Sequence, residues 1–164
     1  MIRSAPTLRN FASADAEAVN RIAVAAFAPF APHYNDWPAM AANLAKMSAL
    51  SATGEVIVAE ADGRLAGAVA YIPPAAPKAA YFDVAWPIIR MLVVDPVCRG
   101  KGIGRALTNE CLARASRDGA RVIALHTSPI MTVALPIYQR MGFARLRAAP
   151  PIFGVEYAIY TKAL

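Results

Sequence analysis

The stretch Met91-Leu-Val-Val-Asp-Pro-Val-Cys-Arg-Gly-Lys-Gly-Ile-Gly-Arg-Ala-Leu107 constrains the fold more than any other part of the chain. The apolar run Ile88 to Val94, bounded by Pro87 and by Asp95-Pro96, reads as a buried central strand. Glycines at 100, 102 and 104 then make a turn. Beyond it Ile103, Leu107, Cys111 and Ala115 recur every four residues, the spacing of one helix face, up to Asp118-Gly119. A strand feeding a helix through a glycine turn belongs in an α/β sheet. Glycine also permits positive φ and close approach of the backbone to a ligand. The free N–H groups of a helix's first turn carry partial positive charge, and Arg99, Lys101 and Arg105 add full charges around them. Such a turn can cradle a pyrophosphate. It lacks the Walker A spacing, and as a dinucleotide fingerprint it fails twice: Leu107 stands where a third glycine is needed, and the following strand ends in Leu125-His126-Thr127 without an acid.

The rest of the chain fits a mixed sheet. Thr7-Leu8-Arg9 reads as a first strand, and Ser13 and Asp15 offer helix-starting side chains before Val19, Ile22, Val24 and Phe27. Pro29 to Trp37 reads as an aromatic loop and Trp37 to Leu50 as a second helix. Glu55 to Glu60 and Arg64 to Ile72 flank Asp62-Gly63, a hairpin signal. Arg121 to His126 is a further strand, Pro129 to Arg140 a short helix ending at Gly142, and Phe143 to Arg147 and Val155 to Thr161 two closing strands. This order predicts a single α/β domain over residues 1–164, with about seven strands and four helices. The chain has 164 residues and is 57% hydrophobic, enough for one sizeable core. The longest apolar stretch, Ile22 to Ala31, is too short to span a bilayer, and the polar segment Thr7 to Asn20 does not read as a secretory signal. A cytoplasmic protein with two buried thiols, Cys98 and Cys111, and no metal site is expected.

The positive charge is concentrated. Residues 99–147 hold nine Arg and Lys against Glu110 and Asp118, a local +7 within a net +6, so the remainder sums to −1. A phosphorylated ligand held at one place explains this better than nucleic acid, because the charge clusters at one turn and one late helix with little aromatic interleaving. Arg114, Arg117 and Arg140 read as solvated charges on helix faces.

A second element follows some way on: Ala134-Leu-Pro-Ile-Tyr138-Gln-Arg-Met-Gly142-Phe143. Together with Leu92-Val-Val-Asp-Pro-x-x-Arg-Gly-Lys-Gly-Ile-Gly-Arg-Ala-Leu107 it resembles the GNAT superfamily of N-acetyltransferases, specifically over residues 88–147. The resemblance implies a GNAT-like fold and acetyl-CoA as co-substrate. It implies that Arg99, Gly100, Lys101, Gly102, Ile103, Gly104 and Arg105 serve the pyrophosphate. Leu92, Val93 and Val94 would lie along the pantetheine arm, with the N–H of Leu92 or Val93 polarising the thioester carbonyl. Tyr138 would protonate the departing thiolate. A homodimer is compatible with it.

Two positions depart from the family pattern. Ile88 stands where many members carry a glutamate base, and Met131 where many carry an asparagine that helps hold the cofactor. The base must then come from elsewhere: Asp83 and His33 rank first because their loops flank the expected acceptor entrance, with Asp36, His126 and Glu156 behind them. The presumed acceptor walls, Pro29 to Pro38, Tyr71 to Trp86 and Pro150 to Tyr157, are rich in aromatic residues and proline and poor in carboxylates. They suit a small, partly apolar amine better than a polyamine. The alternative function is a non-catalytic acyl-CoA sensor, which Ile88 favours and Tyr138 opposes.

Overall fold

Asp62 and Gly63 both take positive φ, 52° and 74°, the left-handed pair that a two-residue hairpin turn requires. They join β2 (Glu55–Ala61) to β3 (Arg64–Ile72) in a computed structural model that describes residues 5–164. The first four residues of the expected 1–164 domain lie outside the described residues. The other strands are β1 (Thr7–Asn10), β4 (Ile88–Val94), β5 (Val122–Thr127), β6 (Ala144–Ile152) and β7 (Val155–Ala163). The helices are α1 (Ala16–Phe27), α2 (Trp37–Leu44), α3 (Ile103–Arg117) and α4 (Ala134–Arg140). All seven strands form one sheet in the order β1-β2-β3-β4-β5-β7-β6, antiparallel except where β4 meets β5. The mixed α/β architecture matches the sequence expectation in element order.

Period-two alternation sends the strand side chains to two different cores. Val56 and Val58 of β2 and Ala68, Ala70 and Ile72 of β3 cluster with Val19 and Ile22 of α1 and Met40 and Leu44 of α2. Ile57, Val69 and Tyr71 face the other way, to Ile103, Leu107 and Cys111 of α3. Both faces are covered, which is why the central strands read as unbroken apolar runs. Gly67 lets α3 lie close on β3: a Cβ there would sit 2.8 Å from the Val93 carbonyl and 3.0 Å from Ile103 Cγ2. Both cysteines are free and buried, as expected. No helix among the described residues is long and apolar enough to cross a membrane.

Several boundaries move. The expected loop Pro29 to Trp37 is largely a 3-10 turn, Ala28–His33. The second helix stops at Leu44 rather than Leu50, because the Asn20 side chain of α1 accepts the Ser48 N–H at 2.8 Å and a 3-10 turn, Met47–Ala52, replaces the last turn. Asp15 does not cap α1 by its side chain; it binds the Ala12 N–H at 2.8 Å and Arg9 at 2.7 Å. The late helix starts at Ala134 rather than Pro129. β6 runs past Arg147 through Pro150 and Pro151, which an edge strand tolerates because no ladder N–H is needed on its outer side.

The basic segment also divides. Arg114, whose side chain is only 12% exposed, is not a solvated charge: it bridges Glu55 at 2.9 Å and Glu110 at 3.1 Å and donates to Asn10 at 2.7 Å. Arg117 binds Glu55 at 2.8 Å and Asp118 at 3.0 Å. Asp118 in turn accepts from the Tyr71 hydroxyl at 2.8 Å. This network ties the end of α3 to β2 and β3, and those charges are spent on the fold.

Candidate active site

β4 changes character halfway along. Its register against β3 jumps from Arg90 opposite Ala70 to Val93 opposite Ala68, so Met91 and Leu92 oppose Val69 alone. Met91 sits in this bulge with φ of +55°, a conformation L residues rarely adopt. A bulge bends and twists its strand, and pairing between β4 and β5 is confined to Ile88 opposite Ala124 and the Ala124 N–H bond to Pro87 at 3.1 Å. The two parallel strands therefore part. On the β3 side, the Asp95 N–H donates to the Ala66 carbonyl at 2.8 Å. Alternation makes Val93 the next residue facing β3 and turns the N–H groups of Leu92 and Val94 to the open edge.

A cavity of about 280 Å³ occupies the gap beside the glycine turn. Leu92 and Val94 line it from β4, Arg99, Gly100, Gly102 and Gly104 from the turn, and Phe27 and Phe30 from the far side. Gly100 and Gly102 adopt φ of +78° and +75°, and Gly102 begins α3 in the left-handed region. A Cβ on Gly104 would lie 3.8 Å from the Leu92 and Val94 side chains, which line the cavity with it. Among the described residues the N–H groups of residues 100 to 105 make no hydrogen bond to another backbone group. Asp95 holds the turn from behind: nearly buried, it accepts from Val97 N–H at 3.1 Å and pairs with Arg64 at 3.1 Å. Arg99 donates to the Ala26 carbonyl at 3.2 Å, fastening the turn to the end of α1. The result is a preformed row of donors beside exposed Arg99 and Arg105, an arrangement whose partial and full positive charges suit an anion.

A second cavity of about 250 Å³ opens on the other side of the bulge. Phe27, Leu92, Met131 and Ala134 line both cavities, so the two meet at the open edge of β4. Met40, Asn43 and Leu44 of α2, Tyr81, Tyr157 and Ile152 supply its walls, and His126, Tyr138 and Arg90 its reactive or charged groups. The Tyr34 hydroxyl, 2.6 Å from that of Tyr157, steadies Tyr157 from outside the cavity. His126 stacks on Tyr81 with ring centroids 5.8 Å apart and has Tyr157 5.3 Å away on another side. Burial first, then the positive Arg90, brings its pKa down to about 4, so the imidazole is neutral at pH 7. Tyr138 is packed edge-on to Phe143 and has no hydrogen-bond partner among the described residues. Burial holds its pKa well above the usual phenol value, so its hydroxyl keeps its proton.

The sequence-predicted residues fall into three groups. Leu92, Val94, Arg99, Gly100, Gly102, Ile103, Gly104 and Arg105 line the first cavity, and Tyr138 the second. Val93 and Lys101 do not: Val93 packs into the core with Val58 and Ala68, and Lys101 reaches Asp62 at 2.8 Å. Asp83 and His33 are exposed and line neither cavity; the Asp83 carboxylate accepts the Ala85 N–H at 2.9 Å within its own turn. Asp36 caps α2 through the Ala39 N–H at 3.1 Å, and Glu156 is exposed. Of the five base candidates only His126 reaches the second cavity. The expected wall Pro29 to Pro38 is replaced by α2, and Pro150 to Tyr157, which contributes Ile152 and Tyr157, belongs to the β6–β7 hairpin. Arg90 was missed, although a lone charge inside an otherwise apolar strand is a legible signal.

Residues 16–143 match the acetyltransferase (GNAT) family model. A mycothiol acetyltransferase from Cellulomonas flavigena is 40% identical over 92 residues, 54% of this chain and 26% of that protein. The chain thus spans about a quarter of the length of this curated relative. A GCN5-related N-acetyltransferase from Rhodopseudomonas palustris shares the fold with a TM-score of 0.79 at 23% identity, over 100% of this chain and 99% of that one. A GNAT family acetyltransferase from Elizabethkingia anophelis, solved with acetyl-CoA bound, gives a TM-score of 0.57 at 20% identity over 72% of this chain and 81% of that one.

Proposed function

Because the chain belongs to the GNAT acetyltransferase family, we propose that it transfers the acetyl group of acetyl-CoA to the amine of a small, partly apolar acceptor by direct attack in a ternary complex. One observation carries the reading: an anion-binding cavity and an aromatic cavity meet on the open edge of a single strand. The chain's groups fit acetyl-CoA, since the unpaired N–H row and the Arg99 and Arg105 charges match a pyrophosphate, and the absence of a side chain at Gly104 leaves it room. Bound there, acetyl-CoA supplies an activated thioester.

The Leu92 and Val94 N–H groups pair with the amide-bearing arm as a neighbouring strand would, and Leu92 N–H, nearest the bulge, donates to the thioester carbonyl oxygen. That donor gains strength as negative charge develops on the oxygen. The amine nitrogen bonds to the acetyl carbon as the carbon–sulfur bond breaks. Tyr138 gives its proton to the sulfur and regains one from solvent as the amine loses one. Among the described residues no carboxylate lines the second cavity, and a cation does, so an entering ammonium is driven to its neutral, nucleophilic form. Neutral His126 accepts a hydrogen bond from that amine.

Calorimetric titration with acetyl-CoA, alongside the Gly102→Glu variant, and release of CoA with a mixed amine library test this reading. Binding that the variant abolishes, with turnover on some amine, is expected. Binding without turnover on any amine would instead establish the acyl-CoA sensor.

A further inference from the structure

Among the described residues Arg90 is the one charged side chain lining the second cavity, where His126 is neutral. It leaves β4 between Ile89 and the Met91 bulge, and it also lines a smaller cavity of about 60 Å³ that shares Tyr81 and His126 with the second one. In the run Ile88-Ile89-Arg90-Met91-Leu92-Val93-Val94, Arg90 is the exposed position, with buried Ile89 before it and half-buried Met91 after it. The fold does not use its charge. Arg9, Arg64, Arg114 and Arg117 pair with carboxylates, and Arg99 and Arg147 donate to main-chain carbonyls. Arg90 has no ion pair or hydrogen bond among the described residues. Lys78, the other cation near the smaller cavity, is tied up by the carbonyls of Pro73, Ala76 and Val84 at 3.3, 2.8 and 3.0 Å.

We propose that Arg90 binds a carboxylate carried by the acceptor, which makes the substrate a small amino acid with an apolar side chain. The inference rests on the acetyl-transfer reading above and deepens it. A guanidinium presents a planar fork of N–H donors that matches a carboxylate with two parallel hydrogen bonds. Met40, Leu44 and Ile152 offer an apolar wall for the side chain. The cavity, about 250 Å³, lies below the roughly 300–1,000 Å³ of drug-sized ligand sites, so the acceptor is small. Pairing also helps the chemistry. A free carboxylate beside an amine favours the ammonium form, and neutralising that carboxylate removes the field that holds the extra proton. The positive potential of Arg90 is felt inside the cavity, since it lowers the pKa of His126 and opposes the rise at Tyr81.

The test compares leucine, methionine and phenylalanine with their methyl esters and their decarboxylated amines, for the wild type, Arg90→Met and Arg90→Lys. The expected result is a preference in kcat/KM of about 10- to 100-fold for the free carboxylate, expressed mainly in KM. In Arg90→Met that preference collapses towards unity, and Arg90→Lys restores part of it. A merely structural role would lower all three acceptor types together, and acetyl-CoA affinity checks that each variant folds. Esters or amines accepted as well as the amino acids, equal losses across the panel in Arg90→Met, or no amino acid acetylated by a protein that binds acetyl-CoA would each overturn the proposal. Failure of the wild type to bind acetyl-CoA would overturn the underlying acetyl-transfer reading instead.

Discussion

The two cavities that meet at β4 are built by opposite means. The first takes most of its ligand-facing groups from one stretch, Leu92 to Arg105, and its donors are backbone N–H groups fixed by a strand end, a glycine turn and a helix start. The second draws side chains from α2, β4, β5, α4, the β6–β7 hairpin and the loop that carries Tyr81. Backbone donors are available whatever the flanking side chains, provided the turn can form. Side-chain sites depend on which elements the fold brings together. The first construction suits a constant ligand and the second a ligand that varies between relatives of one fold.

Four experiments press on that contrast. Gly104→Val places a branched side chain against Leu92 and Val94 in the first cavity, at a position where the backbone tolerates an L residue. Acetyl-CoA affinity should fall by about 100-fold or more with the melting temperature little changed, read by calorimetry and thermal unfolding. Tyr138→Phe alters the second cavity alone and should lower kcat by roughly 10- to 50-fold while leaving the acetyl-CoA Kd within a factor of about two. Equal losses in binding would show the cavities to be one unit.

The third experiment reads stability against pH. The folded pKa of His126, about 4, lies below its ordinary value of 6.5. Between these values the unfolded chain binds the extra proton, so stability is full above pH 6.5 and declines as pH falls towards 4. His126→Phe should flatten the decline between pH 6.5 and 4.5 by about 1–2 kcal/mol, measured by urea unfolding at each pH. Below that window the Arg-bound carboxylates Asp15, Glu55 and Asp118, held under their ordinary pKa values, take over the loss. The fourth and smallest effect separates neighbours in the glycine turn. Arg105→Ala should weaken acetyl-CoA binding about 3- to 10-fold, and Lys101→Ala less than about threefold, because Lys101 is directed to Asp62.

Legibility in the sequence followed the same division. Residues 88–117 announced a strand, a turn and a helix because each piece has a local cause: an apolar run, left-handed glycines, a four-residue repeat. The β4–β5 gap was not legible. Nothing in Ile88 to Val94 marks Met91 as the residue that takes φ of +55°, since a bulge is set by pairing with β3 rather than by the residue's own preference. The same holds for the base candidates. Asp83 and His33 lie on segments adjacent in sequence to cavity walls, yet both residues are exposed and line neither cavity, whereas His126 enters the second cavity from a strand.

What the sequence determined by itself is the order of elements, the apolar runs of the central strands and the glycine turn before α3, all of which have causes within a few residues. What only the tertiary structure decided is which side chains share the second cavity. Phe27, Asn43, Arg90, His126 and Tyr138 come from five separate segments, and their meeting follows from strand order, from the bulge that parts β4 from β5, and from the packing of α2 and α4 at that gap. Those are long-range packing choices made by the whole core at once, and no local pattern of residues encodes them.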